Sequence, residues 1–138
     1  MKYLLVLMVI LTTQAFAESK KDEIKKAADI EKILRQQREL EADELLVKGQ
    51  KEQKIGDYED ALENYKKAIH LYEKSSASEK RIMTKITNSK ILLAQSYKLY
   101  AEKVIKQADK ESSVKLYNKA EKLLLAAKKA TEEAQKLK

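Results

Sequence analysis

Few side chains in this sequence are suited to acid–base or nucleophilic chemistry. The chain has no cysteine, and His70 is its only histidine. No nucleophile and no second metal ligand is spaced around His70 in the way that a catalytic pair or a metal site requires. We therefore interpret His70, which stands between Ile69 and Leu71, as a surface or edge residue of a helix.

Two pairs of adjacent carboxylates are the other candidates for chemistry, because carboxylates bind metal ions. These pairs are Glu59-Asp60 and Glu132-Glu133. The sequence lacks an Asp-Gly calcium loop, a helical pair of histidines and a glycine-rich phosphate loop, so we predict that both pairs are solvated charged faces. The sequence thus predicts a protein that is not an enzyme and that has no catalytic residues, no metal and no other cofactor.

The surplus of lysine lies late in the chain. Residues 103–138 contain ten lysines and five acidic residues, and the whole chain has a formal net charge of +7. Nucleic-acid binding is a poor fit, because the charges are mixed and Arg81 is the only arginine after residue 40. Two interpretations stay open: a plain exposed helix face, and a weak attraction to an acidic partner or an acidic envelope surface.

The first 17 residues have the pattern of a secretory signal peptide. Lys2 is the charged start, residues 3–11 are an apolar run, and Ala15-Phe16-Ala17 is an A-x-A cleavage site. The alternative is an N-terminal membrane anchor, but the run is shorter than the ~20 residues that span a bilayer. We predict that residues 1–17 are removed, that the protein is exported to the periplasm or secreted, and that it has no stable membrane insertion after cleavage.

The composition predicts an all-α fold. The chain has no proline, no tryptophan and two glycines, and 37% of its residues are charged, which is typical of helical and coiled-coil proteins. No stretch alternates between apolar and polar residues as a strand does. We expect residues 18–138 to form a single domain of about four helices, at about 20–54, 58–75, 79–108 and 113–137, with Ser78 as the N-cap of the third.

Gly56-Asp57 divides the most informative stretch of the chain into two helices. Glycine tolerates the positive φ that ends a helix, and aspartate can cap the next one. Before the turn, Leu45, Leu46 and Gly49 form one face, and Gly49 would let a neighbouring helix approach closely. After the turn, an apolar face recurs at helical spacing: Tyr58, Ala61, Leu62, Tyr65, Ala68, Ile69, Leu71 and Tyr72.

Residues 42–75 resemble one repeat of the tetratricopeptide (TPR) family, a 34-residue pair of antiparallel helices. Gly49 takes the small position of the first helix, and Ala61, Tyr65 and Ala68 match the small–aromatic–small triplet of the second. The sequence departs from the family pattern in three places, where the usual Leu, Tyr and Pro are replaced by Lys48, Glu52 and Glu73.

A second, degenerate unit covers residues 94–127. Its matching residues are Tyr97, Ala101, Val104, Ser113, Tyr117 and Ala120. Because Gly49 and Ala101 are 52 residues apart rather than 34, we predict elongated antiparallel helices between the units. We also expect the tyrosines of the apolar faces to be core residues: Tyr58, Tyr65, Tyr72, Tyr97, Tyr100 and Tyr117.

The resemblance implies stacked antiparallel helical hairpins and a non-catalytic scaffold or adaptor of the cell envelope with a protein partner. In that family the inner face of the first helices holds a peptide or helix, and the corresponding residues here are Asp43, Leu46, Gln50, Gln95, Lys98 and Glu102. The alternative is a structural helical-bundle or coiled-coil protein that forms a homo-oligomer through its N-terminal helix. The apolar stripe of that helix consists of Ile24, Ala27, Ala28, Ile30, Ile33, Leu34 and Leu40.

Overall fold

The computed structural model describes residues 2–76 and 78–137, with side chains described from residue 20 onward. The elements of this part are α1 (Lys2–Ile55), α2 (Tyr58–Ser76), α3 (Lys80–Glu111) and α4 (Val114–Gln135). No strand occurs among the described residues, and the predicted all-α fold is confirmed. The predicted signal peptide, residues 1–17, lies outside the residues whose side chains are described.

The helix boundaries follow the sequence pattern with small differences. Helix α1 is continuous across residues 20–54, as the absence of a breaker before Gly56 predicts. The predicted cap of α3 is wrong by one residue. Glu79, not Ser78, is the N-cap, because its carbonyl accepts the first helical hydrogen bond, from the N–H of Met83 at 2.9 Å. No side chain caps this end.

Two compact units divide the chain, Met1–Arg35 and Gln36–Lys138. Within the first unit, the described side chains are exposed except at Glu31, to which Arg35 Nε donates a hydrogen bond of 2.9 Å. The second unit contains every described residue that is buried, from Ala42 to Ala134. Both repeat-like stretches, 42–75 and 94–127, therefore fall in the unit that has a core.

The turn between α1 and α2 shows why a glycine stands there. Gly56 has a φ of 83°, in the left-handed region that a side chain disfavours. Its N–H donates to the carbonyl of Gln53 at 3.2 Å, and the N–H of Asp57 donates to the carbonyl of Glu52 at 3.0 Å. These two bonds form a Schellman motif, which satisfies the last carbonyls of α1 and reverses the chain.

Helix α1 packs closely against α2 at Gly49. A Cβ atom at this position would lie 2.8 Å from Cε1 of Tyr65 and 3.2 Å from the carbonyl oxygen of Ala61, so only glycine fits without a shift. Ala61, Tyr65 and Ala68 are fully buried. The Tyr65 hydroxyl donates to Oε1 of Gln53 at 2.9 Å, and burial raises its pKa to about 12. The ring thus lies in the core while its hydroxyl reaches a polar partner.

Helices α3 and α4 pack against each other, and both bury alanines. Both helices bury rows of alanines seven residues apart, and spacing of this kind places residues on one face of a helix. The rows are Ala94, Ala101 and Ala108 on α3 and Ala120, Ala127 and Ala134 on α4. Small side chains of this kind favour close packing of a helix against its neighbours.

The tyrosines do not all occupy the core as predicted. Tyr65 and Tyr72 are fully buried, Tyr58, Tyr97 and Tyr100 are half-buried, and Tyr117 is 44% exposed. The prediction is wrong for Tyr117 because the second turn comes four residues, about one helical turn, later than the pairing with Tyr65 assumes. Ser113, which the pairing matches to Ala61, precedes α4, whereas Ala61 lies inside α2.

Candidate partner-binding surface

The α1 residues predicted to bind a partner differ in how accessible they are. Gln50 is exposed. Leu46 is half-buried and packs against the core. Asp43 accepts a hydrogen bond from the Tyr72 hydroxyl at 2.5 Å, and Lys85 Nζ lies 2.8 Å from both of its carboxylate oxygens. Asp43 is therefore engaged within the chain.

The α3 residues predicted to bind a partner, Gln95, Lys98 and Glu102, are all exposed. They are three and four residues apart, which places them on one helix face. In the described part of the chain, this triplet shares no hydrogen bond or ion pair with the α1 triplet. The two sets are separate exposed positions and are not joined by a direct polar contact.

A charged network that the sequence pattern did not predict joins α1 to α3. Glu39 is bound by the guanidinium of Arg81, whose Nη2 lies 2.8 Å from Oε2, and by Lys85 Nζ at 2.7 Å. The Arg81 hydrogen bond is the main reason that the pKa of Glu39 falls to about 2, although partial burial opposes the change. Burial and the Asp43 carboxylate raise the pKa of Tyr72. Because the carboxylates of this network already bind Arg81, Lys85 and Tyr72, they stabilise the packing of the helices rather than offer a binding site to a ligand.

A second cluster ties α2, α3 and α4 together near Gly56. The rings of Tyr58 and Tyr100 stack with centroids 6.0 Å apart and an interplanar angle of 28°. The Tyr100 hydroxyl donates to Glu59, and Lys119 Nζ lies 3.2 Å from the same carboxylate and 4.8 Å from the centroid of the Tyr100 ring. Hydrogen bonds from Tyr100 and Lys119 lower the pKa of Glu59. This cluster fixes the wall of a neighbouring cleft.

The cleft beside this cluster has a volume of about 610 Å³. We call it the lysine cleft. Its residues are Gly56, Tyr58, Leu99, Glu102, Lys103, Lys106, Gln107 and Lys110. Lys103 Nζ donates to the carbonyl oxygen of Gly56 at 3.0 Å and lies 5.6 Å from the centroid of the Tyr58 ring. Of the predicted partner-binding residues, only Glu102 belongs to it.

The sequence signals that pointed to the cleft were incomplete. The surplus of lysine after residue 103 indicated a basic surface. Which of these lysines are paired depends on contacts between helices that are far apart in sequence. Lys119 is paired with Glu59, 60 residues away, and no local pattern predicts that contact. Lys106 and Lys110, like Lys119, are exposed residues of a helix, but they have no ion-pair partner among the described residues.

The residues considered for chemistry are dispersed. His70 is exposed on α2, and Glu133 contacts Lys90 Nζ at 3.2 Å. Within the described part of the chain, no group of three histidine, cysteine or carboxylate side chains is placed to hold a metal ion. None of the described helical segments combines the length and apolar character needed to span a bilayer. No protein-family model, curated protein or solved structure matches this chain significantly.

Proposed function

We propose that this protein is a non-catalytic interaction scaffold of the cell envelope that binds a peptide or helix of a partner protein. The observation that carries this proposal is the contact of Gly49 with Tyr65 between the buried residues Ala61 and Ala68. A small residue on the first helix and a small–aromatic–small triplet on the second are what the TPR resemblance implies. Scaffolds of that kind bind proteins through exposed helix faces.

The binding surface that we propose uses the exposed residues of α1 and α3. Gln50, Gln95, Lys98 and Glu102 are exposed, and their side chains make no hydrogen bond or ion pair among the described residues. Asp43 and Leu46 stabilise the helices that carry this surface. Asp43 is paired with Lys85, and Leu46 packs against the core. Glu52, which replaces the tyrosine usual in the family, accepts a hydrogen bond from Asn64 at 2.6 Å, so a polar contact between α1 and α2 takes the place of an aromatic one.

The cellular location is part of the same proposal. The pattern of residues 1–17 supports export, so the partner would be a protein of the cell envelope or of the extracellular space. A chain without cysteine would fold there without disulfide bonds. Determination of the N-terminal residue of the protein isolated from its source tests this point. We expect a mature N-terminus near Glu18, and an intact Met1 in the mature protein would contradict it.

Affinity purification from envelope extract tests the proposed surface. The variant is Gln50→Glu/Lys98→Glu, which changes two exposed side chains and leaves the core intact. Charge reversal at an interface should lower the recovery of a specific partner by about tenfold. The matched control is His70→Glu/Lys129→Glu, which makes the same change in net charge at exposed positions on α2 and α4. Undiminished recovery with the first variant would contradict the site, and a chain that captures no protein at all would contradict the function.

A second candidate function is self-association through the N-terminal helix. Apolar side chains of the first unit are unusually exposed: Ile24 is 70%, Ile30 59% and Ile33 54% accessible. Isolated amphipathic helices gain most of their stability from packing, so a lone helix with an apolar stripe favours association with another helix.

Sedimentation equilibrium separates the two candidates. If the second is right, the chain lacking residues 1–17 forms a dimer or larger oligomer at tens of micromolar, and Ile30→Lys/Ile33→Lys returns it to a monomer. The control Lys25→Gln/Lys32→Gln changes neighbouring exposed residues without removing apolar surface. A monomer at that concentration would rule out self-association and leave the scaffold proposal in place.

A further inference from the structure

Three lysines of the lysine cleft follow one face of α3 near its C-terminus. Lys103, Lys106 and Lys110 are three and four residues apart, which makes them neighbours on the helix surface. Like charges at this spacing repel each other and disfavour the helix. Lys110 lies in the last turn, where the helix dipole favours a cation, but Lys106 lies one turn earlier, where that effect has largely faded.

Lys106 and Lys110, unlike the lysines that join one helix of the second unit to another, have no partner in the described part of the chain. Lys85, Lys90 and Lys119 each contact a carboxylate on another helix, at 2.7, 3.2 and 3.2 Å. For Lys106 and Lys110, the described residues provide no hydrogen bond and no ion pair. Their ammonium groups are therefore available to an anion from outside the chain.

The rest of the lysine cleft combines the apolar surfaces of Leu99 and Tyr58 with two polar side chains, Glu102 and Gln107. Leu99 is 37% exposed on one wall, and the ring of Tyr58 forms another, held by its stacking on Tyr100. Lys103 is tied to the carbonyl of Gly56 and shields the Tyr58 ring. A volume of about 610 Å³ is within the range of sites that bind small ligands or a few residues of a peptide.

We propose that the lysine cleft binds an extended acidic segment of a partner protein, with two carboxylates on Lys106 and Lys110 and an apolar side chain against Leu99. This rests on the proposed function and deepens it by naming the chemistry of the partner. Lys106 and Lys110 are about 6 Å apart along the helix axis. Alternate side chains of an extended chain are about 6.6 Å apart, so Asp or Glu at every second position reaches both lysines.

A partner peptide fits the cleft better than an anionic membrane does. A membrane presents a broad surface, which favours lysines spread over a flat face. Here the lysines border a concave site with an apolar wall, which suits a chain that carries acidic and apolar residues together. The net charge, +7 for the whole chain and one unit lower once Lys2 is removed with residues 1–17, adds a long-range attraction for an acidic partner.

Selection from a random peptide-display library on the full chain tests this inference. The expected result is enrichment of peptides with Asp or Glu at alternate positions beside a Leu, Ile or Phe. Affinities of the selected synthetic peptides are then measured by fluorescence anisotropy against the wild type and three variants. Lys106→Glu/Lys110→Glu should weaken binding by about tenfold or more, and the milder Lys106→Gln/Lys110→Gln by less. The control, Lys128→Glu/Lys129→Glu, has the same charge change on exposed residues of α4 and should bind as the wild type does.

Circular dichroism of each variant establishes that its fold is intact, and the glutamine variant tests the site if the glutamate variant does not fold. Selected peptides that lack acidic residues, or that bind the Lys106/Lys110 variants and the wild type equally, would overturn the inference. If binding of the selected peptides is lost with Gln50→Glu/Lys98→Glu instead, the scaffold function stands and the lysine cleft is not its site.

Binding of the same variants to vesicles of phosphatidylglycerol is measured separately. If the Lys106/Lys110 variants lose vesicle binding but keep peptide binding, the inference is overturned.

Discussion

The turn-and-helix pairs α1–α2 and α3–α4 of the second unit solve the same packing problem in different ways. The first places a glycine against a tyrosine, so that a small residue on one helix accepts a large residue of the other. The second buries alanines on both helices. The turns differ in a parallel way, because Gly56 has a positive φ at the first turn and Ser112, with a φ of 49°, takes that conformation at the second.

This difference predicts how stability is distributed. In α1–α2, the contact with Gly49 is made by a large, fully buried side chain, Tyr65, so a single substitution there should be severe. In α3–α4, each alanine contributes little apolar area, and the loss at any one position should be smaller. Substitutions at matched positions of the two pairs can therefore break or support the comparison.

The largest expected effect is that of Tyr65→Ala. Removing a fully buried ring should lower the free energy of unfolding by about 3–5 kcal/mol, because the close-packed site collapses only in part. The matched variant is Tyr117→Ala, at the position that the repeat pattern pairs with Tyr65 but that is 44% exposed. It should cause only a small loss. Urea unfolding of both variants measures the difference, and equal losses would contradict the comparison.

Gly49→Ala should be destabilising, although alanine is the better helix former. The helix preference favours alanine by about 1 kcal/mol. Against this, the added Cβ would lie 2.8 Å from the buried Tyr65 ring, and overpacking of this kind costs about 1–3 kcal/mol. We expect a net loss in urea unfolding. The control is the neighbouring exposed Gln50→Ala, which should be neutral or slightly stabilising, and a stabilising Gly49→Ala would show that the helices are not in close contact.

Glu39→Gln tests the charged network that joins α1 to α3. Hydrogen bonds to the partly buried carboxylate should be worth about 1–2 kcal/mol at pH 7. The pKa of Glu39 is lowered to about 2 in the folded chain, so its contribution is present above its ordinary value of 4.5 and is lost as the pH falls toward 2. The difference between wild type and Glu39→Gln should therefore shrink over this range. Glu59→Gln, at a more exposed carboxylate, should have a smaller effect, and a difference independent of pH would contradict the role of Glu39.

The smallest expected effects concern the two turns. Ser112→Gly should stabilise the chain by about 0.5–1 kcal/mol, because glycine adopts a positive φ without strain. Gly56→Ala should destabilise it by about 1 kcal/mol for the same reason, since a Cβ there meets nothing within 4 Å and only the backbone conformation opposes it. Thermal unfolding followed by circular dichroism measures both signs. A destabilising Ser112→Gly would show that Ser112 has another role.

The helices were predictable because their signals are local. Helical spacing of apolar residues, the lack of proline and the break at Gly56 gave the fold class and most boundaries, and the burial of Ala61 and Ala68 agrees with their spacing. The second turn was also placed close to its observed position, since the fourth helix was predicted from about residue 113 and α4 begins at Val114. The error lay in the repeat pairing, which matched Ser113, just before α4, with Ala61, inside α2, and so placed Tyr117 in the predicted core.

The candidate site was less predictable than the fold. Family resemblance selected Asp43, but its carboxylate is engaged by Tyr72 and Lys85, which are 29 and 42 residues away. Such pairings depend on the tertiary arrangement and leave no local pattern. The exposed positions Gln50 and Lys98 agree with the prediction in their accessibility, whereas their role in binding stays a prediction. The lysine cleft was visible in the sequence only as a basic bias.

Site-specific photocrosslinking in the native envelope tests the central claim, that this chain is a scaffold that binds a protein partner through α1 and α3. The photoreactive residue p-benzoylphenylalanine replaces Gln50 or Lys98, and His70 or Lys129 in the controls. We predict a discrete crosslinked protein, identified by mass spectrometry, at positions 50 and 98 and little at 70 and 129. The same yield at all four positions, or no crosslinked protein at any of them, would contradict the claim.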